Sequence, residues 1–96
     1  MARLSDSEID ERLAASSWER ENDTIVRDVE CKGFHSAMAL ANAVADAANE
    51  ANHHPDILVH GYKHVRLTLS THSEGGITEN DFALAGTIDG LIADAS

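Results

Sequence analysis

Three of the six histidines fall in one stretch of the chain: His53 and His54 sit side by side in Asn52-His53-His54-Pro55-Asp56, and His72 follows Thr71 at the end of a β-patterned run. Imidazole both gives and takes a proton near neutral pH, so these three could supply a general acid and a general base. Zinc is the natural rival, with Asp81 as a further donor. Adjacent residues of extended chain point to opposite sides, however, and the one-turn His-x-x-x-His spacing of helical zinc motifs is absent, so no metal is expected. Other chemistries have less support. No Gly-x-Ser-x-Gly elbow occurs, Gly75-Gly76 alone is too little for a phosphate cradle, and the lone Cys31 reads as a small hydrophobe. His35, His60 and His64 stand singly and read as solvated. A pair of neighbouring histidines is by itself commonly surface decoration, so its meaning depends on what positions it.

The elements that would do so can be read in turn. Ser5-x-x-Glu8 is a capping box that opens a helix from about Asp6 to Ala15, with Ile9 and Leu13 on one side. Trp18 to Arg20 and Thr24 to Cys31 form a hairpin about Glu21-Asn22-Asp23, because Asn and Asp tolerate left-handed backbone. In its second arm Ile25, Arg27, Val29 and Cys31 share one face, while Val26, Asp28 and Glu30 share the other. Lys32-Gly33 breaks that strand, and an alanine-rich helix runs to about Asn52, stopped there because His54 precedes Pro55. Its core stripe is expected at Phe34, Met38, Ala41, Ala45 and Ala48, with Leu40 and Val44 beside it. Ile57 to Val59 and Tyr62 to Thr71 form a second strand pair bent at His60-Gly61, with Val65, Leu67 and Leu69 facing inward. A strict strand would turn His72 away from the helices. Glu74-Gly75-Gly76 reads as a flexible loop, and Thr78-x-x-Asp81 as a second capping box opening a last helix to about Ala93.

The order α-β-β-α-β-β-α predicts an α+β fold of two layers, a four-stranded antiparallel sheet with three helices on one face. The uncovered face must be polar or meet a partner: Thr68 and Ser70 suggest polarity, Val26 a partner. Length fits a single domain, 1–96, and a core this small gains from oligomerisation. A net charge of −10, from 17 acidic and 7 basic residues, repels phosphate and anionic lipid, which argues against nucleic acid and membrane partners. Only Lys32 and Lys63 are lysines, a balance suited to solubility in a high-salt cytoplasm. With no apolar run of membrane-spanning length and no signal-peptide core after Met1, a cytoplasmic protein is expected.

Together, Asn52-His53-His54-Pro55-Asp56, Tyr62, Val65-x-Leu67-x-Leu69-Ser70-Thr71-His72, Gly76-Ile77-Thr78 and Asp81 resemble the signature of the pterin-4a-carbinolamine dehydratases, also known as dimerisation cofactors of a homeodomain transcription factor. Trp18, the hairpin and Phe34 extend the resemblance over nearly the whole chain. It implies dehydration of 4a-hydroxytetrahydrobiopterin to quinonoid dihydropterin with neither metal nor cofactor, in a homodimer or homotetramer. By it, His53, His54 and His72 are the catalytic set, and Asp81, Pro55, Thr71 and Glu50 contact the reduced pterin. A non-catalytic oligomeric assembly module on the same fold is the alternative. Two departures stand out. Many members carry an acid four places before the first histidine, where this chain has Asn49 and then Glu50, so either Glu50 substitutes or the site works with an amide. Six residues, Asp56 to Gly61, separate Pro55 from Tyr62 where the best-known members have five, which predicts a bulge or longer turn at His60-Gly61.

Overall fold

The computed structural model describes residues 2–95; Met1 and Ser96, the ends of the expected domain, lie outside the described residues. The element order is α1 (Asp6–Leu13), β1 (Glu19–Glu21), β2 (Thr24–Glu30), α2 (Phe34–Ala51), β3 (Asp56–His60), β4 (His64–Leu69), a 3-10 turn (His72–Glu74) and α3 (Glu79–Ala95). The four strands form one antiparallel sheet in the order β1-β2-β4-β3. Period-two alternation sends Ile25 of β2, Val65, Leu67 and Leu69 of β4, and Ile57 and Val59 of β3 to the face that the helices cover. Ile9, Leu40, Val44, Leu84 and Ile88 meet them from the helices to complete one core.

Local chemistry explains where elements start and stop. Ser5 and Glu8 satisfy each other's backbone amides at the start of α1, which holds the Glu8 carboxyl below its usual range. Helix α1 ends two residues earlier than expected, and the buried Trp18 anchors the connection by donating its indole N–H to Asp89 Oδ1 at 2.8 Å. Arg27, the polar intruder on the inner face of β2, reaches the same oxygen at 2.5 Å. One α3 carboxylate thus ties down both.

The stripe expected on α2 is corrected. Its buried line is Ala37, Leu40, Val44 and Ala48, whereas Phe34 is 55% exposed and Met38 39%. The long alanine run gives weak periodicity, and the two largest side chains drew the expected stripe off the true one. Val26 is buried within the chain itself, lining one cavity with Glu21, Asp28 and Arg66. Arg66 bridges Asp28 and Glu21 at 2.7 Å each, so the open sheet face carries a charged cluster, with exposed Leu58 beside Arg66 on the neighbouring strand.

The extra residue before Tyr62 produces no bulge. The β3–β4 register runs unbroken from Asp56↔Thr68 to His60↔His64, and the residue is absorbed in a three-residue turn with Gly61 at φ 54° and Tyr62 at φ 56°. His60 and His64, expected to be scattered, thereby become cross-strand partners whose rings stack at 5.4 Å. A Cβ on Gly61 would sit 3.0 Å from the His64 ring in left-handed backbone. Gly61→Ala is therefore expected to cost about 1–2 kcal/mol, read as a lower urea midpoint at unchanged slope.

Candidate active site

The C-terminus of α2 turns the chain back on itself. Asn52 takes the left-handed conformation, φ 52° and ψ 40°, and its N–H caps the carbonyls of Ala48 and Asn49. The next amide, of His53, also returns to the Ala48 carbonyl at 3.1 Å. Asparagine suits this position because it tolerates left-handed backbone better than other residues with a side chain. Pro55 keeps His54 extended, so the two histidines leave the helix end in different directions.

His53 points inward. Its Nε2 lies 2.6 Å from Asp81 Oδ1, with side-chain exposures of 14% for His53 and 0% for Asp81. The Asp81 carboxylate collects two further donors on Oδ2, the Thr71 hydroxyl and the Thr78 backbone N–H, each at 2.9 Å. The buried hydroxyls complete a directed chain: Asn80 N–H donates to Thr78 Oγ1, Thr78 to Thr71, and Thr71 to Asp81. Among the described residues no buried side-chain polar atom lacks a partner. The expected second capping box is thus half formed: Asp81 reaches back to the Thr78 amide, while the threonine hydroxyl serves Asn80 and Thr71 instead.

His54 points outward and is exposed; its Nε2 meets Asn49 Oδ1 at 3.0 Å. Glu50, the candidate substitute acid, is exposed, and its side chain makes no hydrogen bond or ion pair with the described residues. His72 opens the 3-10 turn rather than closing a strand, since β4 stops at Leu69. The turn is pinned, contrary to the flexible loop expected at Glu74 to Gly76. Thr71 and Gly76 form a bridge, Leu4 N–H binds the Ile77 carbonyl at 2.9 Å, and Arg3 binds the Gly75 carbonyl. His72 is exposed and is joined to the dyad through its neighbour Thr71 rather than by a direct hydrogen bond.

The structure therefore unites His53, Thr71 and Asp81 in one network, pairs His54 with Asn49, and leaves Glu50 apart. Thr71 and Asp81 are buried, Asp81 in direct contact with His53 and Thr71 joined to it only through Asp81, whereas Pro55 is half-buried at the bend. Asn49 stands at the position where the sequence leaves an amide as one option, but its bond to His54 is not expected from the sequence, and neither is Thr78 as a site residue, for which the Thr78-x-x-Asp81 spacing is the visible signal. A cleft of about 140 Å³ opens beside His53, lined by Ala47, Ala51, Asn80, Ala83, Leu84 and Thr87. It is smaller than the roughly 300 Å³ at which ligand pockets begin. A larger cavity, about 420 Å³, lies near Cys31 and Lys63 and holds no histidine. Proton-transfer chemistry points to the smaller cleft. Among the described residues no group of three or more His, Cys, Asp or Glu side chains is placed to hold a metal ion, and no helix is long and apolar enough to cross a membrane.

A small α+β protein with a histidine pair at a helix end, one ring held by a buried aspartate, is the class this fold and site define. The chain belongs to the pterin 4 alpha carbinolamine dehydratase family, whose model matches residues 2–91. A relative from Thermomicrobium roseum, named a pterin-4-alpha-carbinolamine dehydratase, is 51% identical over 88% of this chain and 91% of its own length. A crystal structure described as a transcriptional coactivator/pterin dehydratase from Brucella melitensis superposes with a TM-score of 0.87 at 33% identity, covering 94% of this chain and 98% of that one. A pterin dehydratase-like protein described as a RuBisCO assembly factor in the alpha-carboxysome aligns with a TM-score of 0.66 at 23% identity, over 81% of this chain and 92% of that one, a likeness of fold alone.

Proposed function

We propose that this chain, acting as a single domain, dehydrates 4a-hydroxytetrahydrobiopterin to quinonoid dihydropterin. The observation that carries the reading is the His53–Asp81 pair at 2.6 Å, its aspartate fully buried, beside a second imidazole with a different partner. The hydroxyl on C4a must take a proton before its C–O bond breaks and water leaves. N5 must lose a proton as the C4a=N5 double bond forms, so the reaction is redox-neutral and needs one acid and one base. His53 suits the acid: a carboxylate counter-charge offsets the positive charge of its doubly protonated ring. His54 suits the base, and His72, in the pinned turn, orients the pterin. Assay of the 4a-carbinolamine with His54→Ala and His72→Ala is expected to show losses of about 10²-fold or more. Wild-type rates in both variants would overturn the assignment.

The protein is proposed to work in the cytoplasm as a homodimer or homotetramer, with no nucleic-acid or membrane partner. Exposed Phe34 and Met38 on α2 supply apolar surface for self-association. The same surface favours a second reading, a non-catalytic assembly module. Calorimetric titration with a pterin analogue separates the two, since a module of that kind binds no pterin.

A further inference from the structure

We infer that Asn49 is a positioning residue that holds His54 in the tautomer protonated on Nε2, leaving Nδ1 as the ring's proton acceptor. The inference deepens the dehydratase reading and rests on it for the role of the acceptor. Its basis is geometric. Residues five apart on an uninterrupted helix do not face each other. Here the helix stops at Ala51, the left-handed Asn52 reverses the chain, and His54 returns over the last turn to bring Nε2 within 3.0 Å of Asn49 Oδ1. A carbonyl oxygen can only accept, so the ring nitrogen facing it carries the hydrogen.

The two adjacent imidazoles are thereby given different partners. His53 Nε2 faces a buried carboxylate, which can balance a positive ring; His54 Nε2 faces a neutral amide, which orients the ring but brings no charge. That division fits the two proton transfers of the dehydration, with His53 delivering a proton to the leaving hydroxyl oxygen and His54 Nδ1 receiving the one from N5. Glu50, one position on, is rotated by about 100° around the helix and makes no contact that could substitute.

The test is tautomer-resolved NMR of the ¹⁵N-labelled full chain at pH 8, where an ordinary imidazole is neutral. His54 is expected to show a protonated Nε2 and a bare Nδ1. Asn49→Leu, a helix-compatible change at an exposed position, should move the ring nitrogens toward the averaged shifts of a free histidine. Asn49→Asp, which keeps an acceptor oxygen in place, should preserve the wild-type pattern. In the dehydration assay Asn49→Leu should lower kcat/KM about 3- to 10-fold, the worth of one orienting hydrogen bond. A protonated Nδ1 in the wild type, or an unchanged pattern in Asn49→Leu, would overturn the inference. Should the wild type fail to dehydrate the carbinolamine, the dehydratase reading falls while the tautomer measurement still decides the Asn49 contact.

Discussion

Asp81→Asn is expected to lower kcat/KM for carbinolamine dehydration by about 10²- to 10⁴-fold while leaving the protein folded. The change is nearly isosteric, and the amide oxygen can still accept from the Thr71 hydroxyl and the Thr78 N–H, which lie 2.9 Å from one carboxylate oxygen. What it destroys is the other half. An NH₂ group would then face His53 Nε2 across 2.6 Å, so Nε2 must accept, and the ring can no longer carry hydrogens on both nitrogens beside a carboxylate counter-charge. Asp81→Ala is a different experiment. It removes the acceptor of three donors at a fully buried position and should cost about 3 kcal/mol of stability as well as activity. The pair separates positioning from folding: a normal urea midpoint with collapsed kcat/KM in Asp81→Asn supports the dyad, and wild-type turnover in that variant refutes it.

Much of this site was legible in the chain, and its limits are physical. Alternation in Val65-x-Leu67-x-Leu69 gave the central strand, the Ser5-x-x-Glu8 box gave the first helix start, and His54-Pro55 gave the end of the long helix within a residue. Local signals sufficed there because each depends on neighbours in sequence. The partners of the histidines depend on tertiary placement instead. Asp81 presents itself in sequence as a helix-capping acid, and in the fold it does cap Thr78; only the approach of the α2 end to the α3 start shows that its other oxygen serves His53. The Asn49–His54 contact is hidden for a related reason, since one left-handed residue decides whether His54 returns to the helix or departs from it. The pairing of His60 with His64 depends on a three-residue turn with two positive φ angles, which a single glycine does not make evident.

The long helix offers the sharpest separation between what the pattern suggested and what the fold does. Leu40, 3% exposed, packs in the core with Val44 and Ala48, while Met38 and Phe34 lie outside it. Leu40→Ala is expected to cost about 3 kcal/mol, from lost burial plus the cavity left behind. For a chain of this length total stability is of order 5–14 kcal/mol, so the loss is a large fraction of it and should lower the urea midpoint by roughly 2 M. Phe34→Ser with Met38→Ser removes more apolar volume in total yet should change protomer stability by only about 0.5 kcal/mol per site, because neither side chain is buried in the fold. If α2 carries the self-association surface, the same double variant shifts the mass measured by light scattering toward the protomer, whereas Leu40→Ala does not act on that surface directly. Equal destabilisation by the two changes at low protein concentration would return Phe34 and Met38 to the core and overturn the assignment of the helix faces; a dissociated but stable double variant would identify α2 as the face on which copies of the chain meet.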